Sequence, residues 1–236
     1  NGNTISVTGF KDENYEPDAL VNFLALIGWN PGGDREFMSI DEMVDLFSLD
    51  RINNSGGMFD IEKLRNFNSH YLKSREDMYL FNAFIYPNIP VDYSGNIRPS
   101  NLLKIAEIAK GRSLFRNELY SKVSYFFEPV ILSNDVSLKN PDEFKKFINL
   151  FFENLNNFER EIPCSFNWTD DGINALITDT CNDLGVKLGK VLPDLRLAVS
   201  GTIPGPHIHE IMSIIGRDES TFRINNLLEK VEKVAS

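Results

Sequence analysis

From Pro17 to Trp29 the chain is apolar at most positions, and Pro17 stands where a first-turn proline forfeits no helical N–H, so the pattern predicts a helix buried on most sides. Trp29 to Gly33 then breaks the run. Ser39 and Glu42 have the spacing of a capping box, and the helix they open would place Ile40, Met43, Val44 and Phe47 on one face. Ile61, Leu64, Tyr71 and Leu72 repeat that spacing. Pro87, Pro90, Gly95 and Pro99 punctuate the stretch from Ile85 to Ser100, which reads as a domain boundary. Beyond it Leu102, Leu103, Ile105, Ala106 and Ala109 form a helical stripe, interrupted at Gly111. Phe115, Leu119, Val123, Phe126 and Phe127 form another, closed by Pro129.

The longest stripe starts at Asn140, a good N-cap before Pro141, and carries Phe144, Phe147, Ile148, Phe151, Phe152, Leu155 and Phe158. So many apolar residues on one face form core rather than an aromatic ligand box. A breaker at Pro163, Cys164 and Ser165 precedes Ile173, Leu176, Ile177, Leu184 and Leu188, read as one amphipathic segment. Helical spacing returns at Ile208, Ile211, Met212 and Ile215, and at Leu227, Leu228 and Val231. The only strand suggested is a short one at Thr4 to Val7, so the expected fold class is all-α.

At 236 residues there is enough chain for a proper core and one to three domains. The formal net charge of -10 repels polyanions at long range, so nucleic-acid binding needs a locally basic surface. The widely spaced Cys164 and Cys181 match neither a zinc site nor a redox pair, which suits a reducing, intracellular setting without a disulfide. No apolar run reaches the roughly 18 residues of a membrane span, and the polar start from Asn1 to Thr4 does not read as a signal peptide. A soluble, cytoplasmic protein is expected.

Catalytic constellations are missing. Gly32-Gly33 and Gly56-Gly57 lack the strand, Lys and Ser/Thr of a phosphate loop and read as turns. His207 and His209 have no visible third metal ligand, and His70 stands apart. The carboxylates Asp12, Glu13, Glu16 and Asp18, and later Asp41, Glu42 and Asp45, fall at helix starts and polar faces. Against this acidic background Arg98, Lys104, Lys110, Arg112, Arg116 and Lys122 outnumber Glu107 and Glu118. These are either a phosphate-facing edge or scattered surface cations. A guanidinium at a helix break, as in Lys110-Gly111-Arg112, presents paired donors to a base edge.

Four patches, in order along the chain, resemble the C-terminal part of bacterial-type glutamyl-tRNA synthetases, which are class I enzymes. Tyr15 to Trp29 is similar to the family's helix after the catalytic fold, and Phe59-Asp60 to Leu64, with Asn68 and Tyr71-Leu72, to its FD-x-x-KL-x-W-x-N-x-x-Y-I segment. Phe67 replaces the usual Trp. Val186 to Val191 with Leu195 to Gly201, and then Glu210 to Gly216, resemble its K-x-G-x-x-x-x-x-LR-x-A-x-TG and FE-x-x-x-x-LG patches, with Ser200 for the usual Thr. The HIGH-like and KMSKS-like signatures of ATP binding are absent from the sequence.

The resemblance implies the tRNA-binding portion of such an enzyme. It would hold a stem-contact domain at 1–80 and two helical anticodon-binding domains at 81–155 and 156–236. It carries no catalytic residue, metal or cofactor of its own, with ATP and Mg in the parent enzyme's other domain. The implied partner is tRNA(Glu), with neither DNA nor membrane, and the protein would be a cytoplasmic monomer inactive alone. Arg112 falls about where the family places an Arg or Gln that influences reading of the third anticodon base. Lys63, Arg65, Lys110, Arg116, Lys187, Lys190 and Arg196 are the candidates for tRNA backbone contacts. The rival reading is an all-α protein-interaction module with no nucleic-acid role.

Overall fold

The computed structural model describes residues 6–53, 57–93, 95, 97–134, 136–161, 168–202 and 205–235. Among them are α-helices α1 (Val7–Asp12), α2 (Pro17–Gly28), α3 (Ile40–Leu46), α4 (Ile61–Ser74), α5 (Asp77–Leu80) and α6 (Pro99–Arg112). After them come α7 (Pro141–Glu161), α8 (Asp170–Leu184), α9 (Leu188–Ser200), α10 (Ile208–Ile215) and α11 (Arg217–Ala235). No strand occurs among the described residues; the nearest approach is a single antiparallel bridge between Trp29 and Ile52. The all-α expectation holds. Thr4 and Ile5 of the expected strand lie outside the described residues, and Val7 opens α1 instead.

The chain forms two compact units, one from 1–89 and 102–124 and the other from 90–101 and 125–236. This division differs from the expected segments 1–80, 81–155 and 156–236. The boundary at 155 falls inside the continuous α7, whose buried stripe of Phe144, Phe147, Ile148, Phe151 and Leu155 runs straight through it. Residues 102–124, expected in the middle domain, belong with α2 and α4 because they are bonded to them, as described below.

In the first unit, α2 packs on α4 around Tyr15, Ala19, Leu20, Phe23, Leu64 and Phe67. Asp60 starts α4 by accepting from the backbone N–H groups of Glu62 and Lys63 at 2.9 and 3.1 Å, satisfying two donors that a helix start leaves open. The Ser39–Glu42 capping box forms as expected, with Ser39 N–H donating to the Glu42 carboxylate at 2.8 Å. Two expectations about burial change. Val21 and Leu24 of α2 are 44% exposed, so that helix is buried on one side only. On α3 Met43 is buried against Trp29 and Met38 and Leu46 packs on the same cluster, leaving Ile40, Val44 and, just past the helix, Phe47 exposed.

Gly111 does not break α6, which continues to Arg112; the break comes at Ser113. The next stripe is a pair of 3-10 turns, Arg116–Glu118 and Ser124–Phe126, in place of the expected α-helix. Glu118 there accepts from Leu114 N–H at 2.8 Å, and Val123 N–H bonds back three residues to Tyr120, drawing backbone donors away from the α pattern. Burial of Leu119, Val123, Phe126 and Phe127 survives the change.

In the second unit α7 packs on α8 and α9, α10 on α8 and α9, and α11 on α9 and α10. Leu188 opens α9 rather than extending α8, because Gly185 ends α8 in the left-handed conformation at φ 63°. Buried Asp194 of α9 accepts from the Lys139 and Asn140 N–H groups at 2.8 and 3.1 Å, seating the start of α7. Cys181 is a buried free thiol whose pKa burial pushes up; Cys164 lies outside the described residues, as does the Phe158 side chain. No described helix is long and apolar enough to cross a membrane.

Candidate nucleic-acid interface

Arg112 is exposed on the last turn of α6, in line with Lys104 and Ile108 at four-residue spacing. The lysine two residues before it turns inward. Lys110 Nζ lies 2.5 Å from Asp77 Oδ1 and donates to the Arg75 carbonyl at 3.3 Å. Four residues after Arg112, the Arg116 guanidinium is 2.8 Å from Glu16 Oε1 and lies over the Phe84 ring at 5.4 Å. Glu16 is only 4% exposed, and its other oxygen accepts from Arg75 Nη2 at 2.8 Å and Nε at 2.9 Å. Arg75 also reaches Asp18 at 2.7 Å. Burial opposes the Arg75 charge, but Glu16 and Asp18 outweigh it and raise the guanidinium pKa.

This ionic cluster lines a recess of about 540 Å³ with Pro17, Ser74, Glu76 and Tyr79. Because Lys110 and Arg116 spend their charge on protein carboxylates at short range, little of it reaches a polyanion outside. Lys63, Arg65 and Lys190 differ. Each makes one exposed ion pair, with Glu36 at 2.6 Å, Glu62 at 2.5 Å and Glu143 at 2.7 Å respectively. Such pairs contribute only about 0–1 kcal/mol, so a phosphate displaces them at small cost. Lys187 is exposed at the start of α9, and Arg196 Nε donates to the Pro206 carbonyl at 3.2 Å. Lys63, Arg65, Lys110, Arg112 and Arg116 belong to the first unit, and Lys187, Lys190 and Arg196 to the second.

A larger cleft of about 1180 Å³ lies within the second unit, lined by Tyr93, Arg98, Phe127, Trp168, Phe222 and Arg223 among others. Arg223 is held by the Val199 and Tyr125 carbonyls at 2.7 and 2.8 Å and by Glu219 at 2.6 Å. Trp168 donates to the Met212 carbonyl at 2.7 Å, and burial raises the Tyr93 phenol pKa. Sequence reading missed this cleft. Its lining is drawn from the Pro-rich stretch around 90–98 and from α10 and α11, and no local spacing links those segments.

Among the described residues no three His, Cys, Asp or Glu side chains cluster to hold a metal ion.

The helical architecture agrees with what the comparisons find. Residues 77–228 match the family model described as anticodon binding domain, and the chain belongs to that family. Residues 2–66 match the model for the catalytic domain of class I tRNA synthetases (E and Q), so that model covers most of the segment expected as a stem-contact domain. The glutamate–tRNA ligase of Parabacteroides distasonis is 34% identical over 226 residues, covering 94% of this chain and 43% of that protein. That of Flavobacterium johnsoniae is 31% identical over 229 residues, covering 94% and 42%. A crystal structure of a glutamate tRNA ligase from Elizabethkingia meningosepticum, in complex with its amino acid, superposes with a TM-score of 0.74 at 27% identity, over 94% of this chain and 43% of that one. The chain spans less than half the length of these relatives.

Proposed function

We propose that this chain is the tRNA-binding portion of a glutamate–tRNA ligase. It holds tRNA(Glu) by stem and anticodon while ATP-dependent ligation takes place elsewhere in the protein. The observation that carries this reading is the anticodon-binding match over 77–228, together with glutamate–tRNA ligase relatives aligned over nearly the whole chain. Arg112 reads the third anticodon base, because exposed guanidinium donors at a helix end can pair with the edge of an unstacked base. Lys63, Arg65, Lys187, Lys190 and Arg196 supply backbone contacts. Lys110 and Arg116 serve the protein's own carboxylates instead. By itself the chain activates no glutamate. The protein acts in the cytoplasm as a monomer.

A direct test measures binding of the chain to a glutamate tRNA transcript, and to one with its third anticodon base changed, at two salt concentrations. Affinity that falls with salt and prefers the native anticodon is expected. A folded protein that binds neither RNA refutes the reading. It would favour the second one, a protein-interaction module, for which exposed Ile40 and Val44 of α3 and Phe47 just beyond it are the supporting observation.

A further inference from the structure

Asn68 is a fully buried amide in the middle of α4, on a face otherwise filled by Leu64, Phe67 and Leu72. An apolar side chain there would serve the core with no hydrogen bonds to satisfy. The amide instead bonds two segments far from it in sequence. Its Oδ1 accepts from Glu16 N–H at 2.6 Å, just ahead of α2, and its Nδ2 donates to the Leu114 carbonyl at 2.5 Å, two residues beyond Arg112. The second bond ties down the turn after Arg112 at Leu114, and further contacts hold its flanks. Ser113 donates to the Ala109 carbonyl at 2.8 Å, and the Phe115 ring meets Tyr15 edge-on with centroids 4.9 Å apart. Arg116 reaches Glu16, the same residue whose backbone N–H Asn68 holds. On the other side, Lys110 is fixed to Asp77.

Arg112 is thus an exposed side chain on a backbone anchored two residues before and two residues after it, and Asn68 joins that anchor to α2. We infer that Asn68, with the Glu16–Arg116 pair, is a positioning element for Arg112: it sets where the guanidinium stands relative to the helices α2 and α4. This rests on the reading of Arg112 given above. A recognition group placed by directional bonds discriminates between bases through geometry, so loosening its anchor weakens the complex with the native base more than the complex with the changed one. Asn68→Asp keeps the side chain's shape but replaces the donor facing Leu114 with an acceptor. Arg116→Gln loosens the second tie from a less buried position, and Arg116→Lys retains a charge to face Glu16.

The experiment measures, on the 236-residue chain, the ratio of Kd for the base-changed transcript to Kd for the native glutamate tRNA transcript. Asn68→Asp is expected to lower that ratio about fivefold, the worth of one net hydrogen bond, with affinity for the base-changed transcript held within about twofold. Arg116→Gln lowers the ratio in the same direction and Arg116→Lys restores part of it. In an Arg112→Ala background neither change lowers the ratio further, which a purely structural role would not produce. The inference is overturned if Arg112→Ala abolishes the preference while folded Asn68→Asp and Arg116→Gln retain it. Should Asn68→Asp not fold, Arg116→Gln and its lysine counterpart decide the matter alone. A preference that survives Arg112→Ala overturns the reading of Arg112 and this inference with it. Absence of preference in the parent chain overturns the proposed function itself.

Discussion

Removing the Glu16 carboxylate should strand two cations to unequal degrees, and the difference fixes the size of the effect. Arg75 keeps Asp18 at 2.7 Å and a third of its side chain in water, so losing Glu16 costs it about 0.5–1 kcal/mol. Arg116 is 22% exposed, and Glu16 is its short-range carboxylate partner, so its loss costs about 2 kcal/mol. Glu16→Ala is therefore expected to destabilise the first unit by about 2.5–3 kcal/mol. The assay is urea unfolding followed by tryptophan fluorescence. The chain has two tryptophans, Trp29 in the first unit and Trp168 in the second, so a Trp168→Phe background isolates the unit of interest. With a slope of about 1–1.5 kcal/mol per molar urea the midpoint should fall by about 2 M. Adding Arg116→Met removes the stranded charge and should restore about 1 kcal/mol or more. A midpoint within about 0.4 M of the parent would refute the reasoning, and so would a double variant less stable than Glu16→Ala alone.

Three further outcomes follow from local geometry. Phe147→Ala, at a fully buried position on α7, should cost about 3–5 kcal/mol, read by Trp168 fluorescence during urea unfolding. Gly201 has φ 69°, and a Cβ there would lie 2.9 Å from Val130 Cγ1, so Gly201→Ala should lower stability by about 1–2 kcal/mol in the same assay. The Ser39 backbone N–H, then the Arg35 guanidinium, hold the Glu42 pKa below its ordinary value of 4.5. A depressed folded pKa gives stability present above the unfolded value and lost as pH falls through the folded one. Wild type and Glu42→Gln should accordingly differ in urea midpoint at neutral pH and converge below pH 4.5; a constant gap down to pH 3 would exclude this role.

Most helices were legible because their starts and stripes are local. Pro17, the Ser39–Glu42 box, and the Asn140 start with its Phe-rich stripe each give a helix near its expected place. Failures came where a stripe does not name its helix type or its partner. Leu119, Val123, Phe126 and Phe127 are buried as expected, but the stretch turns more tightly, with the Leu119 and Val123 N–H groups bonding back only three residues. Pro193 inside α9 masks that helix from pattern reading. Periodicity also gave Ile40, Val44 and Phe47 one face without saying that the face stays exposed. For the site, the sequence located the basic stretch around Arg112. It could not sort its members, since the inward turn of Lys110 and Arg116 depends on Asp77 and Glu16, which lie 33 and 100 residues earlier in the chain. Asn68 was legible only as part of a resemblance; its two bonds join segments 52 and 46 residues away.

The interleaving of the two units has a consequence for how the protein is made. Neither unit is a continuous stretch: the first needs residues 102–124 to be complete, and residues 90–101 are built before the 125–236 segment they belong with. As the chain leaves the ribosome at about 5–20 residues per second, α2 and α4 emerge with Asn68 and Glu16 still lacking Leu114 and Arg116. The first unit can close only after its last insert has been synthesised, and by then the polypeptide has already entered and left the second. A nascent chain halted between residues 90 and 101 should therefore be more protease-sensitive across α2 and α4 than one halted far enough on to expose residue 124.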